Sequence, residues 1–221
     1  MPAPDHPVIA IDGPAASGKS SVAKALAARL GFAFVGSGTL YRALAWGLLE
    51  QGIDVADEEA VRSAFPQVGL ASGLQDGFSW VAVRGRRLEA ELESAEVNAA
   101  VSLVSKVPEL RESVVRDLRA FRASGPLVME GRDITSVVFP DTPWKYYIDA
   151  CAEVRQRRRS AQGLSDRVSD RDRVDSSRRS APLRVVDGAL VIDSSHLGID
   201  EVVAVILDDL RRRGSLFVPP P

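Results

Sequence analysis

Gly13-Pro14-Ala15-Ala16-Ser17-Gly18-Lys19-Ser20 follows the apolar run Val8-Ile9-Ala10-Ile11 and opens a stretch of helical pattern from Lys19 to Leu30. A strand, a glycine-bounded loop and a helix in that order meet the demands of a polyphosphate cradle. An anionic phosphate chain must be wrapped by backbone N–H groups at close range, and the helix N-terminus adds the positive end of its dipole. Gly13 and Gly18 permit the close approach. The spacing GxxxxGK[ST] then lets Lys19 reach the β- and γ-phosphates and Ser20 ligate Mg²⁺. The stretch predicts an α/β domain of the P-loop type that binds a nucleoside triphosphate.

Working outward, Phe32 to Val35 reads as a second strand and Thr39 to Gln51 as a helix closed by Gly52. Asp57 is placed to cap a further helix that Pro66 stops. Between Val68 and Glu93 the texture changes. Phe78-Ser79-Trp80-Val81-Ala82-Val83 is aromatic and β-branched, and Arg84-Gly85-Arg86-Arg87 makes a polar turn, which predicts a small inserted antiparallel hairpin. Helical periodicity runs from Glu96 to Ala123 with a break at Pro108. Three more strands are expected at Leu127–Met129, Tyr146–Asp149 and Ala189–Ile192, with an arginine-rich helix from Ala152 and an amphipathic one from Ile199 to Arg213. Five strands separated by helices predict a parallel sheet with flanking helices, its ligands at the C-terminal ends of the strands.

The 221 residues are expected to form a single P-loop domain, with residues 1–36, 124–155 and 181–218 as core, 37–123 as an inserted flap and 156–180 as a second insertion. A formal charge of −2 supplies no global field toward nucleic acid or anionic membrane. The lone Cys151 can form no internal disulfide, the N-terminus lacks a secretory signal, and no stretch is long enough to span a membrane. A soluble, cytoplasmic and monomeric protein is the expectation.

Three constellations narrow the chemistry. Ser37-Gly38-Thr39-Leu40-Tyr41-Arg42 leaves the second strand beside the cradle, offering an anion clamp with an aromatic face, or simply a capped helix with a solvated arginine. Gly131-Arg132-Asp133 follows Leu127-Val128-Met129-Glu130 at a strand's C-terminal end, where a neighbouring cation and anion can grip a phosphate and a hydrogen-bond-donating base edge. Nine arginines lie between Arg155 and Arg179, interleaved with Asp166, Asp170, Asp172 and Asp175. After a P-loop, such a run reads as a lid that neutralises a transferring phosphoryl group and excludes water.

The ordered motifs resemble the bacterial cytidylate kinase family of nucleoside monophosphate kinases. The match is carried by Ile9–Pro14 through Gly18-Lys19, by Ser37-Gly38 with Tyr41-Arg42, and by Gly131-Arg132-Asp133 with Val137-Val138-Phe139-Pro140-Asp141. Asp149-Ala150, the arginine run, Asp170-Arg171-Asp172, Ala181-Pro182-Leu183 and Val191-Ile192-Asp193 complete it, so that it spans Val8 to Leu207. The resemblance implies transfer of the γ-phosphoryl group of MgATP to the 5′-phosphate of CMP or dCMP. Ser37, Arg42, Arg132 and Arg178 would then hold the acceptor phosphate, Tyr41, Arg171 and Asp175 the ribose, and Ser102, Arg111 and Asp133 the cytosine edge. Gly13 to Ser21 would hold ATP, and Arg155, Arg158 and Arg159 would close on its phosphates. Lys19, Arg132, Arg155, Arg159 and Arg178 would serve catalysis, and Ser20 the Mg²⁺.

The chain departs from the family pattern in three places. Thr135-Ser136 stands where glycine and threonine are usual, Val174 where an arginine is common, and the lid is several residues short. Kinases of another acceptor, an RNA-binding or regulatory module using the arginine run, and a P-loop hydrolase are the competing readings. The interleaved aspartates and lack of neighbouring aromatics weigh against RNA.

Overall fold

The computed structural model describes residues 6–161, 182–215 and 217, so Arg171, Asp175, Arg178, Val174 and the rest of the expected lid lie outside the described residues. Strand β1 (Val8–Asp12) is buried over its whole length. Its side chains divide by the two-residue period of a strand. Val8 and Ala10 join one hydrophobic cluster, while Ile9 and Ile11 join another on the opposite face. A strand buried on both faces needs no polar alternation, which is why the run reads as continuously apolar.

Helix α1 (Lys19–Leu30) follows the loop and ends at Gly31, whose left-handed conformation lets its N–H bond the Ala27 carbonyl. Then come β2 (Ala33–Gly36), α2 (Ser37–Glu50) and α3 (Glu58–Ala64). Asp57 caps α3 by accepting from the N–H groups of Glu59 and Ala60. Helix α2 starts two residues earlier than the sequence suggests, straight after extended Gly36.

The inserted section forms β3 (Leu70–Gln75), β4 (Phe78–Val83) and β5 (Arg86–Arg87). The polar turn is confined to Arg84-Gly85, and the two arginines expected within it belong to β5 instead. Helices α4 (Ala95–Val104) and α5 (Pro108–Ala120) replace the single broken helix, with Pro108 opening the second where its missing N–H costs nothing. Ser94 caps α4.

Strand β6 (Leu127–Gly131), β7 (Lys145–Asp149), α6 (Ala152–Ala161), β8 (Leu190–Asp193) and α7 (Ile199–Arg212) complete the described chain. The five anticipated strands form a parallel sheet in the order β2-β6-β1-β7-β8. The hairpin is not separate from it. Strand β4 pairs with β2 through Phe34 and Phe78 and brings β3 and β5 with it, so the sheet has eight strands among the described residues. One face packs against α2, α4 and α5 and the other against α1 and α7. Because β1 and β6 run side by side, the residues following both emerge at one end of the sheet centre.

Candidate nucleotide site

The loop from Gly13 to Gly18 leaves β1 at that end. A Cβ on Gly13 would run into the Ile148 carbonyl oxygen, so only glycine lets the backbone pass so close to β7. Gly18 adopts φ 88° at the N-cap of α1, where no side chain caps the helix and its first turn carries no acidic residue. The leading N–H groups of α1 are thereby left to an anion. Lys19 is nearly buried, its Nζ donating to the Pro14 carbonyl at 3.2 Å and standing 3.9 Å from a Glu130 carboxylate oxygen.

Two clefts open beside this loop. One lies between the core and the flap and is lined by Ser37, Gly38, Tyr41, Ser102, Arg111 and Asp133, among others. The second runs past Ala15, Ala16, Gly18 and Ser21 to Arg159. Lys19, Ser20, Arg42, Glu130 and Arg132 line both. The shared wall is therefore three cations, one carboxylate and one hydroxyl.

Arg42 is perturbed by its surroundings. Burial pushes its guanidinium below the ordinary arginine range, opposed by the carboxylates of Glu93 and Glu130 and reinforced by Arg132 and Arg159. Its Nε is buried and has no hydrogen-bond partner among the described residues. A buried, unsatisfied charged donor is costly in isolation and is relieved by an incoming anion. Ser37, at the start of α2, is buried against Gly131, where any Cβ would collide with its Oγ.

Arg111 and Asp133 form a buried ion pair between α5 and the turn after β6. Arg111 also donates to the Ser105 carbonyl at 3.1 Å and stacks over the Tyr41 ring at 5.4 Å. A guanidinium and a carboxylate held side by side present donors and an acceptor to whatever enters the cleft. Arg132-Asp133 follow the C-terminal end of β6. A single wide helical turn, Ile134–Val138, follows, and the carboxylate of Asp12 pins its first two N–H groups.

The three arginines expected over the donor phosphates divide into two groups. Arg159 is buried and lines the second cleft. Arg155 and Arg158 line neither cleft. Arg155 donates to the carbonyls of Ala150 and Ala15 at 2.8 and 3.3 Å. Arg158 donates to the Ser17 carbonyl at 3.2 Å and to Ser194, whose hydroxyl donates to the same Ser17 carbonyl. Both brace the phosphate loop through its carbonyls, leaving its N–H groups turned to other partners.

Glu130 and Asp12 were not singled out by the motifs. Glu130 ends a core strand beside a P-loop strand, a position signal in itself, and Asp12 is an acid inside an apolar run. For a divalent cation, Ser20 and Glu130 are the oxygen donors in the shared wall, and no group of three metal-ligating side chains occurs among the described residues. That sparse set fits Mg²⁺, which takes one or two protein oxygens and completes its shell with phosphate and water.

A phosphate loop on the central strand, a second cleft under a flap and a cationic wall common to both define a P-loop kinase of nucleotides. The chain belongs to the cytidylate kinase family, whose family model matches residues 9–212. It is 38% identical to the cytidylate kinase of Methylococcus capsulatus, over 91% of this chain and 95% of that one. Identity is 39% with the cytidylate kinase of Mycolicibacterium paratuberculosis, over 95% and 97% of the two chains. With that of Pseudomonas aeruginosa it is 36%, over 94% and 96%. It is an ATP-dependent nucleoside monophosphate kinase that phosphorylates nucleotides of the CMP family. No described helix is long and apolar enough to cross a membrane.

Proposed function

We propose that this chain transfers the γ-phosphoryl group of ATP to the 5′-phosphate of CMP or dCMP, releasing ADP and CDP or dCDP, in the cytoplasm. The observation that carries the reading is the wall of Lys19, Arg42, Arg132, Ser20 and Glu130 common to both clefts. An oxygen of the acceptor phosphate attacks the γ-phosphorus, forming the new P–O bond as the bond to the β–γ bridging oxygen breaks, and the electron pair leaves on ADP. The acceptor is already anionic near neutral pH, so no general base is needed. The obstacle is bringing two polyanions into line, and positioned cations lower it.

In this reading Gly13, Pro14, Ala15, Ala16, Ser17, Gly18, Ser20 and Ser21 cradle ATP, and Lys19 spans its β- and γ-phosphates. Ser20 would hold Mg²⁺ beside the phosphates, and the ion would supply charge neutralisation there. Ser37, Arg42 and Arg132 hold the acceptor phosphate, Tyr41 backs the ribose, and Arg159 flanks the transferring group. Arg155 and Arg158 act by holding the cradle in shape. Arg171, Asp175 and Arg178 keep the roles that the family resemblance implies.

Ser102, Arg111 and Asp133 read the base. The cytosine N4 amino group donates to a carboxylate, while N3 and O2 accept from a guanidinium. Uracil turns O4 toward Asp133, opposing two acceptors, which costs about 1–3 kcal/mol. ADP release measured over CMP, dCMP, UMP, AMP, GMP and shikimate tests both parts. CMP or dCMP should lead, with UMP roughly 5- to 150-fold slower in kcat/KM. Faster turnover of a purine nucleotide or shikimate would overturn the acceptor assignment.

A further inference from the structure

The last residue of β1, Asp12, has no solvent exposure. One carboxylate oxygen accepts from the Ile134 N–H at 2.9 Å, and the other from the Thr135 N–H at 2.8 Å and the Thr135 hydroxyl at 2.6 Å. These donors are neutral, and the negative charge of Asp133 also acts on Asp12. A buried carboxylate held by neutral donors is an expensive way to fill space. What it joins explains its presence. Gly13, the first residue of the phosphate loop, follows Asp12 directly, and Arg132-Asp133 directly precede the turn that Asp12 pins. One side chain thus ties the backbone of the ATP cradle to the backbone of the acceptor loop.

Thr135 adds a side-chain donor to this tie. A glycine there would keep the backbone N–H but lose that donor. The hydroxyl supplies a third bond to the carboxylate. Tightening this tie matters only if the spacing of the two loops matters, and in-line transfer is sensitive to that spacing. A misplacement of about 1 Å can cost on the order of a hundredfold in rate.

We propose that Asp12 and Thr135 form a positioning pair that sets Arg132 and Asp133 in register with the phosphate loop, the Thr135 hydroxyl replacing conformational freedom with a bond. The inference rests on the assignment of Arg132 and Asp133 to the acceptor. Thr135→Val keeps the shape and removes the donor, while Thr135→Ser keeps the donor. The Val variant should lose about tenfold in kcat/KM for CMP, with ATP affinity by calorimetry within about twofold of wild type, and the Ser variant should recover most of the loss. Hydrogen exchange at the Ile134 and Thr135 amides should rise in the Val variant alone. Unchanged exchange at these amides overturns the pairing whatever the enzyme turns over. Equal losses in CMP and ATP handling, or no rescue by serine, overturn its positioning role. A wild-type protein that makes no ADP with CMP sinks the acceptor assignment instead, and the exchange measurement still decides whether the tie exists.

Discussion

Lys19 stands between two oxygens of different kinds, the Pro14 carbonyl within its own loop and the Glu130 carboxylate on β6. Its ammonium is held in place before any phosphate arrives, so it contributes without reorganisation. Lys19→Ala should lower kcat by at least about a hundredfold while circular dichroism and the melting transition stay close to wild type. Near-normal turnover would contradict its role. Asp12 makes a prediction about stability. Burial, against the lowering effect of the Thr135 and Ile134 bonds, pushes its carboxyl up from 3.8 to about 6. A raised acid pKa means that the folded state holds a proton the unfolded chain has already lost. The stability from Asp12 is therefore full below about pH 4 and lost as pH rises through about 6. Between pH 8 and pH 5, wild type should gain about 1 kcal/mol over Asp12→Asn in urea unfolding, and parallel pH curves would refute the shift. Lys19, Ser20 and Arg42 were legible because a short motif fixes what each faces. Asp12 and Glu130 were not, since an acid within or after a strand declares its partner only when strands 110 or more residues apart are laid together. Arg155 and Arg158 were legible as arginines of the phosphate region, but which side of the loop they serve depends on carbonyls contributed by residues 15, 17 and 194.

At the scale of elements, the flap depends on α2 lying close against the hairpin. Gly47 makes that approach possible. A Cβ there would overlap a methyl of Val68 and lie 3.3 Å from a methyl of Val83. Both valines are buried and stiff at χ1, so neither yields easily. Gly47→Ala gains about 1 kcal/mol of helix propensity and meets overpacking of about 1–3 kcal/mol. Overpacking should win, with a net loss of about 1 kcal/mol in chemical denaturation; a variant as stable as wild type would show that the hairpin shifts freely. The elements themselves were largely readable. Apolar runs marked the five core strands, Asp57 marked a helix start, and Pro108 marked the division between α4 and α5. The wide turn after Asp133 carries no such mark, because its geometry is imposed by a carboxylate reaching over from β1. The same is true of the hairpin's attachment. Nothing local to Phe78 says that it pairs with Phe34 and makes β4 a continuation of the sheet.

Over the whole molecule, the strand order places β6 between β2 and β1, and with it the turn carrying Arg132 and Asp133. The segment from Ser37 to Ser124 leaves β2 at the phosphate-loop end, adds β3, β4 and β5 to the sheet edge, and re-enters at the opposite end of the sheet, where Leu127 of β6 lies beside Ala33. The strand order is why one wall can serve two clefts, since the two halves of the site are neighbours in space through strands that are remote in sequence. The same order has a consequence for how the chain is made. Val8 is partnered by Leu127, so during synthesis β1 waits for roughly 120 further residues before its neighbour exists. Throughout that interval an apolar strand destined for the centre of the molecule has neither edge covered, and translation speed across the flap sets how long it must be sheltered.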